Sequence, residues 1–93
     1  MTGTLEVEEE SPMAMSKAYV LIETEVGKAA EVATALRAIP GIVAADSVTG
    51  PYDVIAVAVG ADVNTIGRLV MTEIHGLPGL RHTLTCIVVG ESE

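Results

Sequence analysis

The chain contains no phenylalanine and no tryptophan, and its aromatic residues are limited to Tyr19 and Tyr52. Valine, isoleucine, leucine and alanine must therefore fill the core, which favours thin, closely packed layers. The single cysteine, Cys86, cannot form a disulfide within the chain, so nothing points to an oxidising compartment. Because Cys86 lies in an apolar segment, we expect its thiol to be buried and inert.

Sequence signals for a membrane are also missing. No basic stretch followed by an apolar one marks a signal peptide, and no apolar run reaches the ~18 residues that a spanning helix needs. The expected location is therefore the cytoplasm, with no membrane partner.

Basic residues are few and scattered, and the formal net charge is −8. Residues 1–16 carry four glutamates and no basic side chain, whereas residues 17–90 hold five basic and seven acidic ones. Phosphate contacts require clustered Lys and Arg, so direct binding of nucleic acid is disfavoured. We expect residues 1–16 to form an acidic disordered tail and residues 17–93 to form one domain. Met13 and Met15 are alternatives to Met1 as the true start.

Six segments with strand or helix periodicity follow the predicted tail. The predicted strands are 17–25, 42–48, 52–59 and 81–89, and the predicted helices are 28–38 and 63–75. Asp62 is the predicted N-cap of the second helix. The turn at residues 49–51 is short enough to join the second and third strands as a hairpin. Pro-Gly pairs at residues 40–41 and 78–79 end both helices at the same place in each half.

Two strand–helix–strand halves joined by a hairpin predict an α+β fold, the ferredoxin-like βαββαβ sandwich. Its antiparallel sheet carries two helices on one face, with the first and third strands in the centre. In a monomer the other face meets water and should be polar. Strands one, three and four are apolar on both faces instead. Covering the second face at ~25 cal/mol per Å² gains several kcal/mol before association costs, which predicts a face-to-face dimer.

Sequence motifs for catalysis, metals or cofactors are absent. His75 and His82 are the only histidines, and no spacing is typical of metal ligands, of phosphate-binding loops or of a nucleophilic triad. We therefore predict no catalytic residue, no metal and no cofactor, in a protein that is not an enzyme. The alternative is a small dimeric ferredoxin-like enzyme, which a deep cavity lined by either histidine would favour.

Two polar groups of residues are candidates for ligand contact. Gly50, Tyr52 and Asp53 place turn backbone, a phenol and a carboxylate together, and such a set can hold the ammonium of an amino acid. Capping of the turn by Asp53 and packing of Tyr52 explain the same residues without a ligand. Thr83 and Thr85 offer two hydroxyls on one face of the last strand, although ordinary β-propensity also accounts for them.

The same segments resemble a known family. Residues 17–90 are similar to the effector domain of the leucine-responsive regulatory protein/AsnC family, the RAM domain (regulation of amino acid metabolism). The matching segments are KAYVLIETE, ALRAIPGIVAADSVTG, TGPYDVIAVAV and LPGLRHTLTCIVV. The resemblance implies sheet-to-sheet dimers that assemble into octamers or decamers and bind a small effector, usually an amino acid, between dimers. It also implies that Gly50, Tyr52, Asp53, Thr83 and Thr85 line the effector pocket.

Regulators of that family carry a helix-turn-helix domain before the effector domain, whereas only residues 1–16 precede the first strand here. We therefore expect a stand-alone RAM protein. It would bind an amino acid effector and regulate transcription or amino acid metabolism without binding DNA itself. The alternative is an accessory subunit that co-assembles with a full-length Lrp/AsnC homologue.

Overall fold

The computed structural model describes residues 15–90, and their elements alternate in the predicted order. The strands are β1 (Ser16–Thr24), β2 (Ile42–Ser47), β3 (Val54–Gly60) and β4 (Leu80–Ile87). The helices are α1 (Ala29–Arg37) and α2 (Val63–Leu69), and α2 continues into a π-helical turn (Val70–Ile74). The acidic tail predicted for residues 1–16 lies almost wholly outside the described residues. No helix within residues 15–90 is long and apolar enough to cross a bilayer.

The four strands form one antiparallel sheet in the order β2-β3-β1-β4. β1 and β3 are therefore central, and β2 and β4 are the edges, as predicted. The buried side chains of both helices join a single core cluster with those of β1 and β3, so both helices lie on the same sheet face. This arrangement confirms the ferredoxin-like βαββαβ fold.

The core forms between the helices and one face of the sheet. Alternation along β1 turns Ala18, Val20 and Ile22 toward the helices, and each has an exposed fraction of 0%. Their partners on β3 are Ala58, Ala56 and Val54, which are also fully buried. The helices and the π turn contribute Val32, Ala33, Leu36, Ile66, Val70 and Ile74. Alanines on the central strands let the helices approach closely, which is how a core without large aromatics fills its volume.

The second helix does not run regularly through residues 63–75 as predicted. Its last turn is π-helical, and the His75 N–H donates to the Val70 carbonyl at 2.9 Å. Ile66, Val70 and Ile74 recur every four residues, a spacing that drifts by roughly 40° per step around an ideal α-helix. The wider π turn reduces this drift, and all three side chains stay buried.

On the sheet face opposite the helices, Lys17, Glu23, Asp46 and His82 surround an apolar centre that is uncovered in the single chain. We call it the open face, and its members are Tyr19, Leu21, Ile55, Val57, Val59, Leu84 and Cys86. Tyr19 and Leu84 are 40% and 46% exposed. The expectation of a buried Cys86 is wrong for the single chain, because its side chain is exposed beside Tyr19 on this face.

Asp62 caps α2, as the sequence predicts. Its Oδ1 accepts hydrogen bonds from the Thr65 N–H and from the Thr65 hydroxyl, both at 2.8 Å. The backbone bond first, and the hydroxyl bond second, stabilise the carboxylate and lower the pKa of Asp62 below its ordinary 3.8.

This cap should make the stability of the fold depend on pH. Because the folded-state pKa is the lower one, the cap contributes fully above the unfolded pKa, and its contribution is lost as pH falls through the folded pKa. We expect Asp62→Ala to have a lower Tm than the wild type at neutral pH. On acidification to about pH 2, the Tm of Asp62→Ala should fall by less than that of the wild type. Asp62→Asn keeps an acceptor oxygen and serves as the control, with a Tm at neutral pH closer to wild type. Circular dichroism measures both, and equal losses of Tm in wild type and Asp62→Ala would contradict the account.

Candidate functional site

The turn between β2 and β3 exposes its backbone. Gly50 has φ of 129°, in the region that favours glycine, and a Cβ atom placed there would meet nothing within 4 Å. Backbone conformation, rather than crowding, therefore accounts for this glycine. Pro51 is exposed and Tyr52 is half-buried, so the turn offers polar backbone groups to an approaching molecule.

Asp53 joins this turn to the end of β1. Its Oδ2 accepts a hydrogen bond from the Thr24 N–H at 2.9 Å and lies 3.5 Å from the Thr24 hydroxyl oxygen. The Asp53 N–H donates to the Ile22 carbonyl at 2.8 Å. β3 was predicted to begin at residue 52 but begins at Val54, because the Asp53 carboxylate takes the Thr24 N–H that a regular ladder would give to a carbonyl. Capping of the turn by Asp53 is thus observed, and Oδ1 makes no hydrogen bond within residues 15–90.

A cleft of about 590 Å³ opens at this end of the sheet. We call it the Asp53 cleft, and its polar lining comes from Glu23, Thr24, Glu25, Asp53 and Arg81. The lining thus combines three carboxylates with one guanidinium. The single ion pair within residues 15–90 joins Lys28 to Glu31, so none of the charged groups in the cleft is neutralised by a direct partner there. The acidic surplus favours a positively charged group such as an ammonium.

Thr83 and Thr85 lie away from this cleft within one chain. They pair with Ile22 and Val20 of β1, so both point to the helix side of the sheet. The Thr83 hydroxyl oxygen lies 3.1 Å from His75 Nε2, while Thr85 is exposed. Since β1 separates β3 from β4, Asp53 and Thr83 are two strand spacings apart, or roughly 10 Å. Of the predicted residues, Asp53 alone lines this cleft. Gly50 and Tyr52 belong to the adjoining turn, and Thr83 and Thr85 form a separate group on β4.

A second cleft, of about 450 Å³, lies beside Thr83 and is lined by His75, Leu80, Arg81 and His82 as well. Both histidines are exposed in this cleft. It opens at the edge of the sheet rather than deep between sheet and helices, which is where the enzyme alternative required a cavity. Within residues 15–90, no group of three or more His, Cys, Asp or Glu side chains is placed to hold a metal ion.

Arg81 and Thr24 are the residues of this region that sequence reasoning missed. Arg81 lines both clefts. Glu23 pairs with His82 and Thr24 pairs with Leu80, which leaves Arg81 as the extra residue of a β-bulge. The sequence around Arg81 is typical of an ordinary strand. The bulge becomes apparent only from the residue pairing between β4 and β1.

The family model described as the Lrp/AsnC ligand binding domain matches residues 17–92. Among solved structures, the chain is similar to the protein TTHA0845 from Thermus thermophilus, with 28% identity and a TM-score of 0.79 over 84% of this chain and 98% of that one. It is also similar to hypothetical protein PHS023 from Pyrococcus horikoshii, with 29% identity and a TM-score of 0.75 over 82% and 92% of the chains.

A third solved structure shares the fold at lower identity. It is the complex of the transcriptional regulator NMB0573 with L-Met from Neisseria meningitidis, with 21% identity and a TM-score of 0.76. The match covers 90% of this chain and 56% of the regulator. No curated protein matches the chain.

The hydrogen bonds of Asp53 predict a structural cost for its removal. Asp53→Ala leaves the Thr24 N–H without an acceptor at a site where Thr24 is 8% exposed, and should lower the free energy of unfolding. The expected loss is about 1–3 kcal/mol, measured by urea denaturation. Asp53→Asn retains an acceptor oxygen and should lose less. Asp46→Ala, which removes an exposed carboxylate on β2, is the control, and equal midpoints for Asp53→Ala and Asp46→Ala would contradict the role.

Proposed function

The chain belongs to the Lrp/AsnC ligand-binding domain family, and on this premise we propose that it binds an amino acid as a regulatory effector. The observation that carries the proposal is the Asp53 cleft, where carboxylates outnumber cations beside an exposed turn backbone. Such a site suits the ammonium of an amino acid. The Neisseria regulator of the same fold was solved with L-Met, which supports this class of ligand.

The residues of the turn have distinct roles in this proposal. Asp53 Oδ1 accepts from the ammonium, while Oδ2 keeps its bond to the Thr24 N–H. Backbone groups at Gly50 meet another part of the ligand, and Tyr52 packs beside it. Thr83 and Thr85 lie too far across the sheet to reach the same ligand from within one chain. We propose that another dimer in the assembly supplies their hydroxyls.

The open face supports a face-to-face dimer. Leu21, Ile55 and Val57 lie at its centre on β1 and β3, and a polar face would be expected there in a monomer. Lys17 lies at the margin, with its ammonium 5.4 Å from the centre of the Tyr19 ring, where it can remain solvated. Burial of this face would pair two sheets and leave the turns at Gly50 free. Dimers would then meet at the turns to form an octamer or decamer.

Regulation would follow from a shift in assembly. A ligand held between dimers binds the assembled state more tightly than the separated dimers, and so raises the population of the assembly. We propose that the chain acts in transcriptional regulation or amino acid metabolism without touching DNA itself. The five basic residues among residues 17–90 lie on β1, immediately before and at the end of α1, on α2 and on β4, which gives no continuous basic stripe.

The open face also supports the accessory-subunit alternative. A homologue with the same apolar sheet face would pair with this chain in the same way as the second copy of the proposed homodimer. Mixing the chain with a full-length Lrp/AsnC regulator separates the two candidates, since a homomeric sensor would keep its own mass while an accessory subunit would exchange into the regulator.

The dimer is testable by one charge on the open face. Val57→Lys places an ammonium at the centre of the proposed interface, and burying it there would be unfavourable, so we expect the mass by sedimentation to fall to that of the monomer. Val63→Lys is the matched control, because Val63 is 50% exposed on α2, on the side of the sheet opposite the open face. A wild-type protein that sediments as a monomer, or a Val57→Lys variant that keeps the wild-type mass, would show that the open face is not the interface.

Effector binding is testable by calorimetry of the common L-amino acids at about millimolar concentration against the assembled protein. At least one should give heat with the wild type, and Asp53→Asn should bind it about tenfold more weakly, because a neutral amide replaces the charged acceptor of the ammonium. Asp46→Asn should bind as the wild type does. An absence of heat with every amino acid, on protein shown to be assembled, would refute the proposal.

A further inference from the structure

We propose that Arg81 is the specificity-determining residue that holds the carboxylate of the amino acid in the Asp53 cleft. This inference rests on the proposed amino acid binding and extends it to the second charge of the ligand. Asp53 and its neighbouring glutamates can bind an ammonium group, but by themselves they would accept any amine of suitable size. A cation in the same cleft is needed to select a zwitterion.

The β-bulge explains how Arg81 comes to line the cleft. Thr83, Thr85 and Ile87 pair with the core-facing residues of β1, so regular alternation would place Arg81 opposite Thr24 on the helix side of the sheet. The bulge places Leu80 opposite Thr24 instead, where it packs against the core. Arg81 is thereby displaced from the ladder, and a bulge of this kind redirects the side chain of its extra residue.

The charges of the cleft are complementary to a zwitterion. Arg81 is the one cationic side chain among the residues that line the Asp53 cleft, and it has no carboxylate within 4.0 Å in the part of the chain described. Asp53 and Glu23 supply negative charge from the turn and from β1. A guanidinium binds a carboxylate through two parallel hydrogen bonds, which fixes orientation as well as charge.

The spacing also suits an α-amino acid. The backbone of Asp53 and that of Arg81 lie on opposite sides of β1, two strand spacings or roughly 10 Å apart. An ammonium and a carboxylate on one carbon atom, with a charge-assisted hydrogen bond of ~2.8 Å at each end, bridge roughly 8 Å between the protein atoms. The long arginine side chain spans the remaining distance. An amine without a carboxylate would leave the guanidinium unpaired.

The test compares Arg81→Gln with the matched control Arg68→Gln, which removes the same charge from an exposed position on α2. The ligands are the tightest-binding common L-amino acid and its carboxamide, which keeps the ammonium but lacks the carboxylate charge. The wild type should bind the amino acid about tenfold or more tightly than the carboxamide. Arg81→Gln should abolish that preference by weakening the binding of the amino acid but not that of its carboxamide, and Arg68→Gln should retain the preference. Arg81→Lys, which keeps the charge, should restore part of the preference.

The outcomes separate this inference from the proposed function. If Arg81→Gln binds the amino acid with the wild-type Kd, or binds both ligands more weakly by the same factor, Arg81 does not bind the carboxylate. Effector binding through Asp53 would still stand in that case, as shown by the loss in Asp53→Asn. If the assembled wild type binds no amino acid, both proposals are refuted together.

Discussion

Two helices can cover only one face of a four-stranded sheet, and in this chain the other face is apolar as well. The helix side is complete within one chain, since Ala18, Val20 and Ile22 are fully buried under α1 and α2. The open face has no such cover, and its side chains, Tyr19 and Leu84 among them, meet water in the isolated chain. Chains of this size bury little surface relative to their entropy cost, so an uncovered apolar face matters to stability as well as to solubility. The proposed face-to-face dimer would resolve both difficulties.

The same topology places the candidate site at one end of the sheet. β1 ends, β3 begins and β4 begins there, so Thr24, Asp53 and Arg81 line one cleft from three different segments. Covering the open face would leave this end accessible. In the proposed assembly, stability and ligand binding use different surfaces of one small domain, so dimers would form independently of the effector while contacts between dimers would respond to it.

Strand periodicity was sufficient to predict the sheet, because alternation between Ala18, Val20, Ile22 and their neighbours is a local property of the sequence. The Asp62 cap was predictable for the same reason. The start of β3 and the π turn were not, since the first depends on a side-chain bond between Asp53 and Thr24 and the second on burial of Ile74. Arg81 could not be predicted at all, because the register of β4 against β1 creates its bulge. The roles of Gly50, Tyr52, Asp53, Thr83 and Thr85 in binding stay predictions.

The most direct test of the account is the reactivity of the Cys86 thiol with a disulfide reagent, measured against protein concentration. Cys86 is the single thiol of the chain and is exposed on the open face, so its rate reports on whether that face is covered. The account predicts that the native protein reacts far more slowly than the unfolded chain at high concentration, and that dilution or Val57→Lys removes the protection. A native protein that reacts as fast as the unfolded chain at every concentration would show that no second copy covers the open face.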